Sequence, residues 1–257
     1  CEVRHFTVPC LDVLRRSSTE MRAANIARAV DDDSLGRVAD ELNRFIREAS
    51  AQTVVMPAVF GLHDSRPVDR LRGMVDGRVV FVPTMPMSVG GMRMQIRLRE
   101  RFRELGGAYL LGDKVSRGVF DGNRLTAVYT DNFGYMKLSA DHFIFAVGSF
   151  FGHGMESAPD TVFEPVFGLD VDAPAGRAGR CSDDLFSAQE YMTYGVVTDD
   201  DFNVYRGGRR VENFYAVGSA LSGCNSIKEG SGAGVALMTA MKVADDILNK
   251  TKGGSQR

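Results

Sequence analysis

VENFYAVGSALSGCNSIKEGSGAGVALMTAMKVADDIL, residues 211–248, is the stretch from which the fold can be read. It opens apolar and stops at Gly218-Ser219, which marks Phe214 to Val217 as a strand running into a tight turn. It closes with Leu237, Met241, Ala244 and Leu248 at spacings of three and four, the stripe of a long helix expected to pack as ordinary core. Between the two, Gly230, Gly232, Ala233 and Gly234 leave the start of that helix almost bare of side chains. The first N–H groups of a helix lack partners and carry the positive end of its dipole. A bare helix start therefore suits a phosphate or the electron-rich edge of a reduced isoalloxazine ring. Glycines in such a turn serve close helix-to-sheet packing equally well, so the segment by itself leaves both roles open.

A second segment lies upstream. From Ala108 the chain breaks into short strand-like runs, YLLGDKV, SRGVF, RLTAVYT, NFGYMKL and HFIFAVG, with Asp121-Gly122-Asn123 as a hairpin turn between two of them. This is an antiparallel meander that delivers the chain into one apolar strand ending at Ala146-Val147-Gly148-Ser149. In order and spacing the two segments resemble two-dinucleotide-binding-domain flavoproteins. There a meander returns the chain beneath the cofactor, and a closing strand, turn and helix follow near the C-terminus. The resemblance makes Gly148, Ser149, Gly218, Ser219, Gly230, Gly232, Ala233 and Gly234 the expected cofactor contacts.

The expected fold class is α/β, the C-terminal part of such a flavoprotein. Residues 1–107 read as an α/β substrate or cap region, 108–150 as the meander and return strand, and 151–205 as an irregular excursion with a short helix near Asp183 to Met192. Residues 206–250 form the closing strand and helix, and 251–257 a frayed tail that begins in KTKGGSQR. Within the first region VRHFTV (3–8) reads as a strand, a helix follows from Thr19, and another runs from about Asp33 with Leu35, Val38, Leu42, Phe45 and Ile46 on its inner face. TVVMPAV (53–59) and VVFVPTM (79–85) read as strands, the second buried throughout because its apolar run is nearly continuous. A helix starts near Ser88 with Met94, Leu98, Phe102 and Leu105 as its apolar stripe.

Composition narrows the function. The 257 residues are 44% hydrophobic and 25% charged, and 31 basic against 33 acidic residues give a formal charge of −2. No global field draws in nucleic acid or an anionic membrane. The longest nearly apolar run, Phe143 to Phe151, is far short of the roughly 20 residues of a membrane-spanning helix, so a soluble chain is expected. Cys1, Cys10, Cys181 and Cys224 make no CxxC pair, so their spacing gives neither a zinc site nor a cysteine-ligated cluster. Reduced thiols in the cytoplasm follow. The opening on Cys1, without a secretory leader, reads as a truncated start.

The likeness extends beyond the fold. LDVLRRSSTEMRAANIARAVD (11–31), MPAVFGL (56–62), VPTMPMSVGGMRMQIRLRERF (82–102), GGAYLLGDKV (106–115), FAVGSFFGHGM (145–155), EPVFGLDV (164–171), YGVVTDDD (194–201) and ENFYAVGSALSGCNSIKEGSGAGV (212–235) resemble blocks of the B-subunit family of anaerobic glycerol-3-phosphate dehydrogenase. That resemblance implies oxidation of sn-glycerol 3-phosphate to dihydroxyacetone phosphate, with electrons passed toward quinone. It implies FMN, with FAD as the alternative, together with an FAD-bearing catalytic A subunit and an iron-sulfur membrane-anchor C subunit. Through those partners it implies a place at the inner face of the cell membrane. Full-length members of that family begin with a strand and a Gly-rich dinucleotide loop, and no G-x-G-x-x-G follows a first strand here. The fragment made alone is therefore expected to hold flavin weakly or not at all and to be inactive.

Oxidation of a secondary alcohol by hydride transfer needs a base for the hydroxyl proton and cations for the phosphate. His153, five residues past Gly148, is the best placed of four histidines; His63 lies in another Gly-bearing loop, while His5 and His142 fall within strand patterns. Arg28 and Arg93, like Arg22, lie in matched blocks and are candidate phosphate contacts, although arginines on helix surfaces are commonly only solvated. Lys228 and Glu229 precede the glycine cluster and could approach the flavin rim. Two other readings stand beside the dehydrogenase: an electron-relay or assembly module without substrate chemistry, and an oxidoreductase of another substrate on the same scaffold.

Overall fold

The computed structural model describes residues 2–14, 22–85 and 87–254, with side chains through Thr251. The chain forms two compact units, Cys1–Leu111 and Gly112–Arg257, against the five segments outlined from the sequence.

The first unit sets helices on a small parallel sheet. Its elements are α1 (Pro9–Asp12), α2 (Ala23–Ala29), α3 (Asp32–Ala49), β1 (Thr53–Pro57), α4 (Arg66–Met74), β2 (Arg78–Val82) and α5 (Val89–Glu104). β1 and β2 pair in register from Thr53 with Arg78 to Pro57 with Val82. α3 forms because Leu35, Val38, Leu42 and Ile46 fall on one face and are all buried. Asp31 caps it, accepting from Ser34 N at 2.8 Å and Ser34 Oγ at 2.6 Å. Val54 and Met56 of β1 face that core and Val55 faces away, the period of two of a half-covered sheet.

Several expectations are corrected here. VRHFTV pairs with no strand among the described residues. Phe6 and Val8 instead join the helical cluster as separate anchors, Phe6 stacking on Phe45 at 4.2 Å, and Pro9 turns the chain into α1. Thr19, where a helix was expected to begin, lies outside the described residues; α2 starts at Ala23. β2 is not buried throughout: Val79 is buried but Val82 is exposed, because a two-stranded sheet covered on one face cannot enclose both sides of a strand. α5 starts where expected, with Ser88 accepting from Gly91 N at 3.2 Å. Its inner face is Val89, Met92 and Ile96, however, and Met94, Leu98, Phe102 and Leu105 are exposed.

The second unit contains β3 (Val115–Asp121), β4 (Arg124–Thr130), β5 (Leu138–Ser139), β6 (Phe143–Phe145), β7 (Glu156–Ser157), β8 (Val162–Phe163), β9 (Val171–Asp172), β10 (Gly195–Val196), β11 (Asn203–Arg206), β12 (Arg209–Ala216), α6 (Ser226–Glu229) and α7 (Gly232–Gly254). The meander is the antiparallel sheet β3-β4-β5, and the closing strand β12 lies between antiparallel β11 and parallel β6. The pairing of β6 with β12, from Phe143 with Phe214 to Phe145 with Ala216, ends both strands at the same edge. Phe145, Phe167 and Phe214 meet edge to face in the core, the last two at 4.9 Å. Fully buried Asn213 locks β12 to the meander: its Oδ1 accepts from Leu125 N at 3.0 Å, and its Nδ2 donates to Leu125 O at 2.8 Å and Asp141 O at 2.9 Å.

Here too the pattern misleads in places. YLLGDKV contributes only Val115 and NFGYMKL only Leu138 to strands, since Gly112 and Gly134 sit in turns at positive φ. The short helix expected near Asp183 to Met192 is a single 3-10 turn, Glu190–Thr193. In α7 Val243 is fully buried and packs with Ile247, whereas Leu237, Met241 and Leu248 of the expected stripe are 61, 53 and 55% exposed. The helix also runs on to Gly254, past the start of the tail read as frayed; residues 255–257 lie outside the described residues.

Candidate functional site

Two glycine turns leave the common end of β6 and β12. Gly148 has φ of +81° and Gly218 φ of +66°, which side-chain-bearing residues rarely adopt. Gly218 N donates to Thr239 Oγ1 at 2.9 Å, and a Cβ there would touch Ala236 of α7 at 3.5 Å. After Gly148 the chain folds back through a 3-10 turn, Phe150–Gly152, with Gly152 N and Gly154 N both donating to Ser149 O, at 3.1 and 3.0 Å. Val197 N donates to Asp170 O at 2.8 Å, and Gly195 backs so closely on the Leu221 backbone that a Cβ would stand 2.2 Å from it.

These turns bound a cavity of about 360 Å³, within the usual range for a small-molecule site. Gly148, Ser149 and Ser219 line it, with Phe150, Phe151, Tyr191, Met192 and Ile227 as apolar and aromatic surface and Asn225 and Ser226 adding polar groups. Asn225 is held in place by its own cap of α6, accepting from Lys228 N at 3.0 Å, while Glu229 accepts from Asn225 N at 3.2 Å. Aromatic surface beside bare backbone and serine hydroxyls fits a planar ring with a polar edge, and in that respect the residues present suit a flavin.

The predicted contacts divide. Gly148, Ser149 and Ser219 meet in this cavity, with Gly218 next in the chain. Gly230, Gly232, Ala233 and Gly234 are not among its lining residues; Gly230 ends α6 at φ of +64°, a Cβ on Gly232 would lie 3.3 Å from Ser226 Cβ, and one on Gly234 would meet nothing within 4 Å. His153 is exposed, closes the 3-10 turn at φ of +61°, and does not line the cavity. Glu229 also accepts from Ser231 Oγ at 2.9 Å, which ties it into the cap network.

In the first unit Arg28 bonds Asn25 Oδ1 at 2.8 Å and lines a separate cavity of about 460 Å³ with His63, Arg66 and Arg70. Two of those cations are already paired, Arg66 with Asp64 at 2.7 Å and Arg70 with Asp32. Arg93 holds a loop: its Nε donates to Gly61 O at 2.6 Å and its Nη2 to Phe60 O at 3.3 Å. Phe150, Tyr191 and Asn225 were missed by the sequence reading; the glycine-flanked Phe150-Phe151 pair was the signal that could have found the first. Cys10, Cys181 and Cys224 are free, and burial beside Glu41 pushes the Cys10 thiol up to about 11, away from reactive thiolate. Among the described residues no His, Cys, Asp and Glu cluster could hold a metal, and no helix is long and apolar enough to cross a membrane.

Residues 3–235 match the family of FAD-binding domains, and the chain belongs to that family. Among its relatives, the Yersinia pseudotuberculosis protein named as the B subunit of anaerobic glycerol-3-phosphate dehydrogenase is 39% identical over 247 residues, 96% of this chain and 58% of that protein. Proteins of the same name from Pectobacterium atrosepticum and Actinobacillus succinogenes are 37 and 35% identical, covering 95 and 98% of this chain and 57 and 60% of their own lengths. The chain thus spans about three fifths of the length of these curated relatives. No solved structure matches it.

Proposed function

We propose that this chain is the flavin-holding part of a dehydrogenase complex that oxidises sn-glycerol 3-phosphate to dihydroxyacetone phosphate and passes the electrons toward quinone. The reading is carried by one observation, the cavity in which Gly148, Ser149 and Ser219 meet, in a chain of the FAD-binding family. The names of its relatives supply the substrate, and the family resemblance favours FMN over FAD. A bound flavin supplies a two-electron acceptor for alcohol oxidation.

The chain's own residues bind and orient. The positive-φ turns at Gly148 and Gly218 bring backbone close, the hydroxyls of Ser149 and Ser219 would hold a polar ring edge, and Phe150, Phe151 and Ile227 offer apolar surface that a bound ring would cover. An FAD-bearing catalytic partner and an iron-sulfur partner anchored at the membrane complete the assembly in this reading. The test is to release and identify the flavin of the full-length subunit that carries this chain, then to add glycerol 3-phosphate without oxygen and follow bleaching of its visible absorption. Bleaching supports the dehydrogenase; bound flavin that stays oxidised favours the relay reading, and absence of flavin favours assembly.

A further inference from the structure

Arg180 and Tyr194 are buried, at 8 and 6% exposure, in the irregular part of the second unit. One end of the guanidinium is anchored: Arg180 Nη1 donates to Ala158 O at 2.8 Å, with Ser157 Oγ at 3.4 Å and Pro159 O at 3.5 Å, all at the β7–β8 hairpin. The backbone is tied as well, Tyr191 N donating to Arg180 O at 3.1 Å. Arg180 Nε and Nη2 and the Tyr194 hydroxyl, by contrast, have no hydrogen-bond partner among the described residues. Nε and Nη2 carry the two parallel N–H bonds of one guanidinium edge, the edge that receives two oxygens of a phosphate or carboxylate side-on. Leaving charged donors buried and unpaired is costly, which makes that edge a preset oxyanion receptor.

Arg180 and Tyr194 line a cavity of about 560 Å³ together with Arg177, Val162, Phe150 and Tyr191. Among the described residues no carboxylate lines it. Burial, reinforced by the nearby Glu190 charge, raises the Tyr194 phenol above its ordinary value and keeps it a proton donor at neutral pH. Phe150 and Tyr191, in edge contact at 6.4 Å, line both this cavity and the one that Gly148 and Ser219 share. A small molecule held by its oxyanion at Arg180 would therefore lie next to the proposed ring site.

We propose that Arg180, Tyr194 and Arg177 form an oxyanion subsite that takes the phosphate of a small phosphate monoester. The proposed function enters only in naming that ester as glycerol 3-phosphate; the oxyanion chemistry rests on the cavity. The purified protein is titrated by calorimetry with glycerol 3-phosphate, inorganic phosphate and uncharged glycerol. Glycerol 3-phosphate is expected to bind and glycerol not to. Arg180→Lys, which keeps the charge and loses the fork, is expected to weaken binding about tenfold or more, and Tyr194→Phe about three- to tenfold. No binding by the parent protein, or equal affinity in Arg180→Lys, overturns the subsite. Should Arg180→Lys fail to fold, Tyr194→Phe decides, and unchanged affinity there overturns it. Binding lost in Arg180→Lys while the flavin of the full-length subunit is never reduced leaves the subsite standing and sinks the dehydrogenase reading. Flavin reduction with an unchanged KM in Arg180→Lys does the reverse.

Discussion

A Cβ on Gly154 would stand 2.1 Å from the Gly148 carbonyl oxygen, and one on Gly152 would stand 2.0 Å from that of Val147. Both obstacles are backbone of the turn that shapes the cavity lined by Gly148 and Ser219, so neither can move without moving that cavity. Gly154→Ala is expected to cost about 1–3 kcal/mol, as overpacking does; unchanged thermal stability would show that the turn yields. Gly36, inside α3 with nothing near its Cβ position, makes the opposite case. Gly36→Ala is expected to stabilise by about 0.5–1 kcal/mol, read in the same denaturation experiment. Asn213→Leu should cost about 2–4 kcal/mol, because it leaves the buried Leu125 N–H and C=O groups without partners. Gly148, which lines the cavity with Ser149 and Ser219, and Gly218 beside it were legible as turns because a glycine interrupts an apolar run there, and only close approach or a forced turn calls for that. Arg180 was not, because it is buried by carbonyls of Ala158 and Pro159 about twenty residues away in a stretch with no periodicity to read.

At the scale of elements, the ones read correctly are those with a single apolar face. α3 has one, and its start was legible as acidic residues ahead of Leu35. α5 and α7 each carry two apolar sets, and no pattern in the chain chooses between Met92 with Ile96 and Met94 with Leu98, or between Val243 with Ile247 and Met241 with Leu248. Burial depends on what packs opposite, which is a property of the fold rather than of the helix. The α3 cap also sets a pH dependence. Hydrogen bonds from Ser34 to Asp31 hold its carboxyl below the ordinary 3.8, so the folded state prefers the ionised form. The stability it contributes is present above that ordinary value and is lost as pH falls through the lower folded value. Asp31→Asn, which does not titrate, should therefore lose less stability than the parent protein between about pH 5 and pH 2, and parallel losses in denaturant titrations would remove the cap from the account.

For the whole molecule, the two compact units make a prediction that joins the scales. The first has its own buried cluster around Leu35, Val38, Leu42, Val54, Phe60 and Leu71; the second has one around Leu125, Val196, Val204, Phe214 and Ala216. Chains with separate cores commonly depart from two-state unfolding. Scanning calorimetry is expected to resolve two heat-absorption peaks whose responses to substitution are separate. Gly36→Ala acts on the first core and should raise one peak by a few degrees, whereas Gly154→Ala acts beside the ring cavity and should lower the other by a few degrees. A ligand that occupies the Arg180 cavity stabilises the state that binds it, so glycerol 3-phosphate in excess should raise the peak that Gly154→Ala lowers and leave the other in place. One peak moved by both substitutions would mean that the units unfold as one cooperative body. A phosphate shift on the peak that Gly36→Ala raises would relocate the phosphate site to the first unit, where Arg28 and His63 line a cavity of their own.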